Sequence, residues 1–301
     1  MKQKLLDSPT KFARLSVLAA IATISLKALA YLVTDSVGLL SDAFESGVNL
    51  IAALVTLVAL LVAAIPPDDN HAYGHSKVEY FASGVEGTLI LVAAITIVIS
   101  AVDRFFNLKS VENIGIGLGI SFIATILNFI VARTLKKGGE RHNSIALLAD
   151  ADHLFTDVWT SAGVMIGVIL VAITGYIWLD PLIAILVAIN IVYTGIKIIK
   201  QSILGLMDTA LPKVEQQKII NILQSYEDAG ISFHALRTRQ SASQRFASVH
   251  IQVPGTWSVQ RGHSLMEEIE EALRIAIPRI NVLTHLEPLE DPVSWQDIDL
   301  I

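Results

Sequence analysis

The sequence predicts a membrane all-α domain of six helices followed by a small cytoplasmic α+β domain. Three observations carry that expectation. The 301 residues are 53% hydrophobic and only 17% charged, with a mean hydropathy of +0.58, whereas a soluble chain is nearer a quarter charged. Six apolar stretches before Met207 each approach the roughly 20 residues needed to cross a hydrocarbon core. Past Met207 the composition becomes soluble, and its periodicity alternates between helix and strand.

The apolar stretches fall near residues 12–34, 39–65, 77–103, 111–136, 144–174 and 177–205, separated by turn chemistry at Asp35, Ser36 and Gly38, at Pro66, Pro67 and Asp68, at Asn107 and Ser110, at Gly138 and Gly139, and at Gly175. The first has basic residues before it and Ala28-Leu29-Ala30 near its end, as a signal peptide does. Lys27 within the run and five further spans favour a membrane helix instead. Lys2, Lys4, Lys11, Arg14, Lys77, Arg133, Lys136, Lys137, Arg141, Lys197 and Lys200 flank one side, against Arg104 and Lys109 on the other. By the positive-inside rule both termini are then cytoplasmic, in a multi-pass protein of the cytoplasmic (inner) membrane. Ser83 and Gly87, Gly115 and Gly119, and Gly163 and Gly167 have a four-residue spacing suited to close helix packing. The division is therefore a membrane domain over 1–208 and a soluble domain over 209–301 with an acidic tail. The soluble part reads as helix (213–226), strand (231–239), strand (245–253), helix (259–275) and strand (281–287). Ala247, Val249, Ile251 and Val253 point to one face of the second strand, and Ser248, His250 and Gln252 to the other.

The formal net charge of −6 gives no general attraction to phosphate, which disfavours nucleic acid as a partner and favours cations and the lipid bilayer. With no cysteine, any metal must be held by oxygen and imidazole nitrogen. No nucleophile elbow, phosphate loop or HExxH motif appears, so an enzyme is disfavoured.

Polar residues within apolar stretches are the first chemical signal. The second stretch contains Asp42, Glu45 and Asn49, and the fifth contains Asp150, Asp152, His153 and Asp157. A carboxylate at mid-membrane costs about 2.5–3.5 kcal/mol, so these groups require partners or a polar cavity. Glu45 and Asn49, and His153 and Asp157, are each four apart and share a helical face. Facing each other, they would form a four-ligand cage for a divalent ion. Interhelical hydrogen bonding is the rival reading, and Asp42 and Asp150 are as readily hydrated groups near helix ends.

Histidines are the second signal. Asp68, His71 and His75 lie within eight residues of loop, which suits a metal site or a solvated turn. A hairpin centred near Ala242 would set His234 opposite His250, and His285 and Glu287 share a face of the last strand. Those four, with His263 at a helix start, make a second candidate metal site.

Pro66-Pro67-Asp68-Asp69-Asn70-His71-Ala72-Tyr73-Gly74-His75-Ser76-Lys77-Val78-Glu79, Ala149-Asp150-Ala151-Asp152-His153-Leu154-Phe155-Thr156-Asp157 and Leu236-Arg237-Thr238-Arg239-Gln240-Ser241 together resemble the cation diffusion facilitator family, especially its YiiP-like bacterial members. The resemblance covers nearly the whole chain. It implies a six-helix transporter with a cytoplasmic ferredoxin-like domain, working as a homodimer that exports divalent metal in exchange for protons. It further implies a transport site of Glu45, Asn49, His153 and Asp157, a loop site of Asp68, His71 and His75, cytoplasmic sites of His234, His250, His263, His285 and Glu287, and a junction salt bridge between Lys77 and Asp208. Glu45 and Asn49 depart from the usual pattern of His or Asp followed four later by Asp. The resulting donor set is harder and less charged, which weakens the case for zinc(II) and suits iron(II), manganese(II) and cobalt(II), while affinity alone favours zinc(II); zinc(II) or iron(II) is the expected cargo, with manganese(II), cobalt(II) and cadmium(II) also compatible. His153 and Asp157 are the expected proton acceptors. A passive divalent cation channel and a non-transporting membrane metal sensor are the rival functions.

Overall fold

The computed structural model describes residues 8–34, 37–106, 114–227 and 230–300. These divide into two units, Met1–Ile203 and Leu204–Ile301.

The first unit comprises α1 (Pro9–Thr34), α2 (Val37–Ala63), α3 (Val78–Phe106), α4 (Ile114–His142) and α5 (Ile145–Thr174), together with most of α6 (Leu179–Leu206). Among the described residues, five of these helices are long and apolar enough to cross a membrane: Pro9–Leu29, Ser46–Ala63, Val78–Phe106, Ile145–Val171 and Pro181–Leu206. Leu18, Leu32, Ile99 and Ile173 lie on the outside of the bundle, as lipid solvation allows. Inside, Ala13, Leu60, Val131, Leu135, Leu147 and Leu154 join α1, α2, α4 and α5. Ile90, Ala149, Ile191 and Ile198 join α3, α5 and α6. Small residues set the closest approach: a Cβ at Gly87 would lie 3.2 Å from the Gly195 carbonyl, and one at Gly195 3.2 Å from that of Gly87.

The break expected at Gly138 and Gly139 is not one. Helix α4 runs through both to His142, and the turn falls at Asn143, whose φ is 52°. The glycines serve packing instead, since a Cβ there would meet the Phe12 ring at 2.7 Å and Leu148 at 2.8 Å. Helix α5 then starts from Ser144, whose hydroxyl accepts from the Leu147 amide and donates to the buried Glu79 carboxylate. Glu79 thus places negative charge at the N-terminus of the helix that carries His153.

In the second unit, α7 (Lys213–Ser225) and α8 (Val259–Ala276) cover one face of a three-stranded sheet of β1 (Ser232–Ser241), β2 (Gln244–Val253) and β3 (Ile280–Pro288). Strand β2 is central, antiparallel to β1 and parallel to β3. Val249, Ile251, Ile219, Leu223, Ile269 and Leu273 form the core between sheet and helices. The acidic tail folds back as a 3-10 segment (Pro292–Leu300) on the opposite face, where the Gln252 side chain donates to the Ser294 carbonyl.

The hairpin corrects the register arithmetic. Ser241 pairs with Gln244 across a two-residue turn, which would set His234 against Ile251. The register shifts between His234 and Arg237, so that Ala235, with φ 51°, and Leu236 together oppose Val249. That bulge turns His234 to face His250.

Candidate functional site

Inside the first unit, α2 and α5 bring Asn49 and His153 together, with His153 Nε2 2.9 Å from Asn49 Oδ1. The Asn49 amide donates to Asp157 Oδ2. Both Asn49 and His153 are buried, and Asp157 is half-buried, so the cluster is most open at its aspartate. Glu45 lies on α2, but its side chain is outside the described residues, as is that of Asp42. Asp152 is half-buried. Asp150 is not a hydrated helix-end group: it is 2% exposed and accepts from Ser16 of α1 at 3.1 Å.

Glu86 is a further member of the site that no four-residue spacing marks. This α3 carboxylate is fully buried, with Oε2 3.1 Å from His153 Nδ1 and Oε1 accepting from Thr56 of α2 at 3.2 Å. The signal was available, because the cost that singled out the second and fifth stretches applies equally to a carboxylate in the third. A polar chain therefore runs Thr56–Glu86–His153–Asn49–Asp157 through three helices. With the Asn49 amide turned to Asp157, its oxygen is the acceptor, so Nε2 carries a hydrogen in this arrangement.

The loop before α3 gathers Asp68, His71 and His75. Asp68 Oδ1 is 3.2 Å from His71 Nδ1, Asp68 Oδ2 is 3.4 Å from His75 Nε2, and the two rings are 4.3 Å apart. The three can present ligand atoms within 4.8 Å of one another, a spacing that a single ion can bridge. Backbone amides of His71 and Asn70 donate to Asp68, and the His71 amide foremost holds its carboxyl below the usual carboxylate range.

In the second unit, His234, His250 and His285 form a row across the three strands, because His234 pairs with His250 and His250 with His285. Glu287 reaches back to all three, at 2.8 Å from His234 Nε2, 2.9 Å from His250 Nδ1 and 3.6 Å from His285 Nε2. His234, His250 and Glu287 form the compact set, while His285 is 65% exposed at its edge. Trp295 of the 3-10 segment stacks on His234 at 6.2 Å. His263, exposed early in α8, belongs to neither compact group. Asp208 accepts from Arg239 at 3.3 Å within the second unit, whereas Lys77 belongs to the first.

Comparison with known proteins agrees with this layout. Residues 13–207 match the cation efflux transmembrane domain and residues 211–289 the cytoplasmic domain of cation efflux proteins. The chain is 51% identical over 288 residues to an uncharacterized transporter of Synechocystis sp., covering 96% of this chain and 93% of that one. It is 30% identical over 272 residues to the cation-efflux pump FieF of Salmonella arizonae, covering 89% of each. Over 26% of this chain and 92% of the other, it is 25% identical to the metal-bound C-terminal domain of the CzcD transporter from Thermotoga maritima, with a TM-score of 0.25. The chain is therefore a multi-pass helical membrane domain followed by a cytoplasmic domain with a small sheet. The chain belongs to the cation efflux family, also called the cation diffusion facilitators.

Proposed function

We propose that this protein exports divalent transition-metal ions from the cytoplasm in exchange for protons, using Asn49, His153 and Asp157, with Glu45, as the transport site. The observation that carries this reading is the 2.9 Å contact between His153 Nε2 and Asn49 Oδ1, next to the Asp157 carboxylate. Two atoms that far apart can both bind one ion at about 2.0–2.2 Å. The hydrogen on Nε2 occupies the place an ion takes, so binding metal releases a proton and protonation releases metal. Competition for one set of atoms couples the two fluxes, and rocking of helices around a fixed site supplies alternating access.

In this reading residues 1–208 carry transport and 209–301 regulate it. Metal held by His234, His250 and Glu287, with His285 and His263 nearby, tightens a homodimer when the cytoplasm is metal-rich. Asp68, His71 and His75 hold a further ion, and Lys77 pairs with Asp208 at the junction. The membrane is the cytoplasmic one, with both termini inside. Zinc(II) and iron(II) lead the cargo list, followed by manganese(II), cobalt(II) and cadmium(II), since oxygen and imidazole donors accept all five.

The test is metal uptake by the purified protein in liposomes under an imposed pH gradient, with each ion in turn. Uptake that follows the gradient and is lost in Asp157→Ala is the expected result. Uptake indifferent to the gradient would favour a passive channel, and metal binding without uptake would favour a sensor.

A further inference from the structure

An imidazole ring offers two nitrogens whose bonding directions diverge, so it can serve an ion on one and a fixed acceptor on the other. In His153 the two sides are already divided. Asn49 and Asp157 lie on the Nε2 side, and Glu86 lies on the Nδ1 side at 3.1 Å. Glu86 Oε2 and His153 Nδ1 are both buried, and neither has a hydrogen-bond partner of its own among the described residues. Thr56 anchors the other carboxylate oxygen from α2, which fixes where Oε2 points.

We infer that Glu86 is a positioning residue for the transported ion: its carboxylate accepts the Nδ1 hydrogen of His153, so that the ring, once the ion has displaced the Nε2 hydrogen, is held in one tautomer with Nε2 on the ion. This rests on the reading of Asn49, His153 and Asp157 as the transport site. Because Glu86 meets the ring on the nitrogen away from Asn49, it acts through His153 and is not itself a ligand. A full-length chain lacking this acceptor would present the ion with a mixture of tautomers and a ring free to turn.

The experiment compares Glu86→Gln, Glu86→Met and Asp157→Ala in proteoliposomes, using whichever of zinc(II), manganese(II), cobalt(II) and cadmium(II) the unaltered protein moves fastest. KM and kcat are read separately, and nitrogen-15 spectra of the histidine rings report the tautomer. Glu86→Met matches the size but cannot accept, so KM rises about 10–100-fold and His153 populates both tautomers, whereas Glu86→Gln retains an accepting oxygen and stays within about threefold with one tautomer. Unchanged KM and a single tautomer in Glu86→Met overturn the assignment, as does Glu86→Gln as impaired as Glu86→Met. Should Glu86→Met fail to assemble, Thr56→Val frees the carboxylate while leaving it in place; a rise in KM supports the assignment and an unchanged KM overturns it. Uptake that survives Asp157→Ala overturns the transport-site reading itself, while loss there with a normal Glu86→Met overturns only the positioning role.

Discussion

The intramembrane cluster and the cytoplasmic cluster use the same chemistry, imidazole against carboxylate, in opposite surroundings. His153 and Glu86 have side chains 6% and 0% exposed, while His250 and His285 are 23% and 65% exposed. Within the bilayer each polar atom has to find its partner on another helix, because water is absent and an unsatisfied group costs several kcal/mol. The result is a chain of contacts from Thr56 to Asp157 in which moving one member disturbs the next. On the sheet, one glutamate serves three histidines of graded exposure, from His234 at 9% to His285 at 65%, and water can replace the outer one. The same residue types thus make a strongly coupled device in one place and a loosely coupled one in the other.

That contrast can be broken most sharply at Asp157. Its removal leaves the Asn49 amide without this acceptor and the proposed ion site without a carboxylate, in a medium that offers no substitute, so uptake in proteoliposomes should fall below about 1% of the unaltered rate. Glu287→Ala removes the shared glutamate of the cytoplasmic row. Metal affinity there should drop about 10–100-fold by calorimetric titration, and uptake should lose its dependence on metal at the soluble domain while the transport site still works; uptake abolished as fully as in Asp157→Ala would show that the row does more than regulate. Ser16→Ala withdraws the hydroxyl from buried Asp150 and should destabilise the membrane domain by about 1–3 kcal/mol, seen as a lower unfolding temperature.

The smallest effect belongs to the loop. Folding lowers the pKa of Asp68 from 3.8, so its contribution to loop order is present above that value and disappears as pH falls through the lower folded one. A carbon-13 titration of its carboxyl group should therefore have its midpoint below 3.8, and Asp68→Asn should loosen the Asn70 and His71 amides at neutral pH.

Much of this was legible residue by residue. Apolar length marks the helices, and the expense of polar groups within them marks Asn49, His153 and Asp157. Glu86 was legible in the same way, but it has no polar group four residues away to form the paired pattern that marks the other two helices. The Gly138–Gly139 pair misled for a physical reason: glycine signals a turn and close helix contact equally, and here the contact with Phe12 and Leu148 prevails. His234 and His250 were matched by arithmetic that assumed an unbroken ladder, yet they meet because Ala235 adopts a left-handed conformation and adds a residue to β1.

Composition and periodicity alone establish the order of helices and strands and the short roster of polar groups that need company, because burial cost is a property of each residue and its near neighbours. Which nitrogen of His153 meets which carboxylate, and how three histidines from separate strands come to share Glu287, depend on contacts between segments 30 to 104 residues apart. No local pattern encodes those contacts; packing between helices and one bulge in a strand create them.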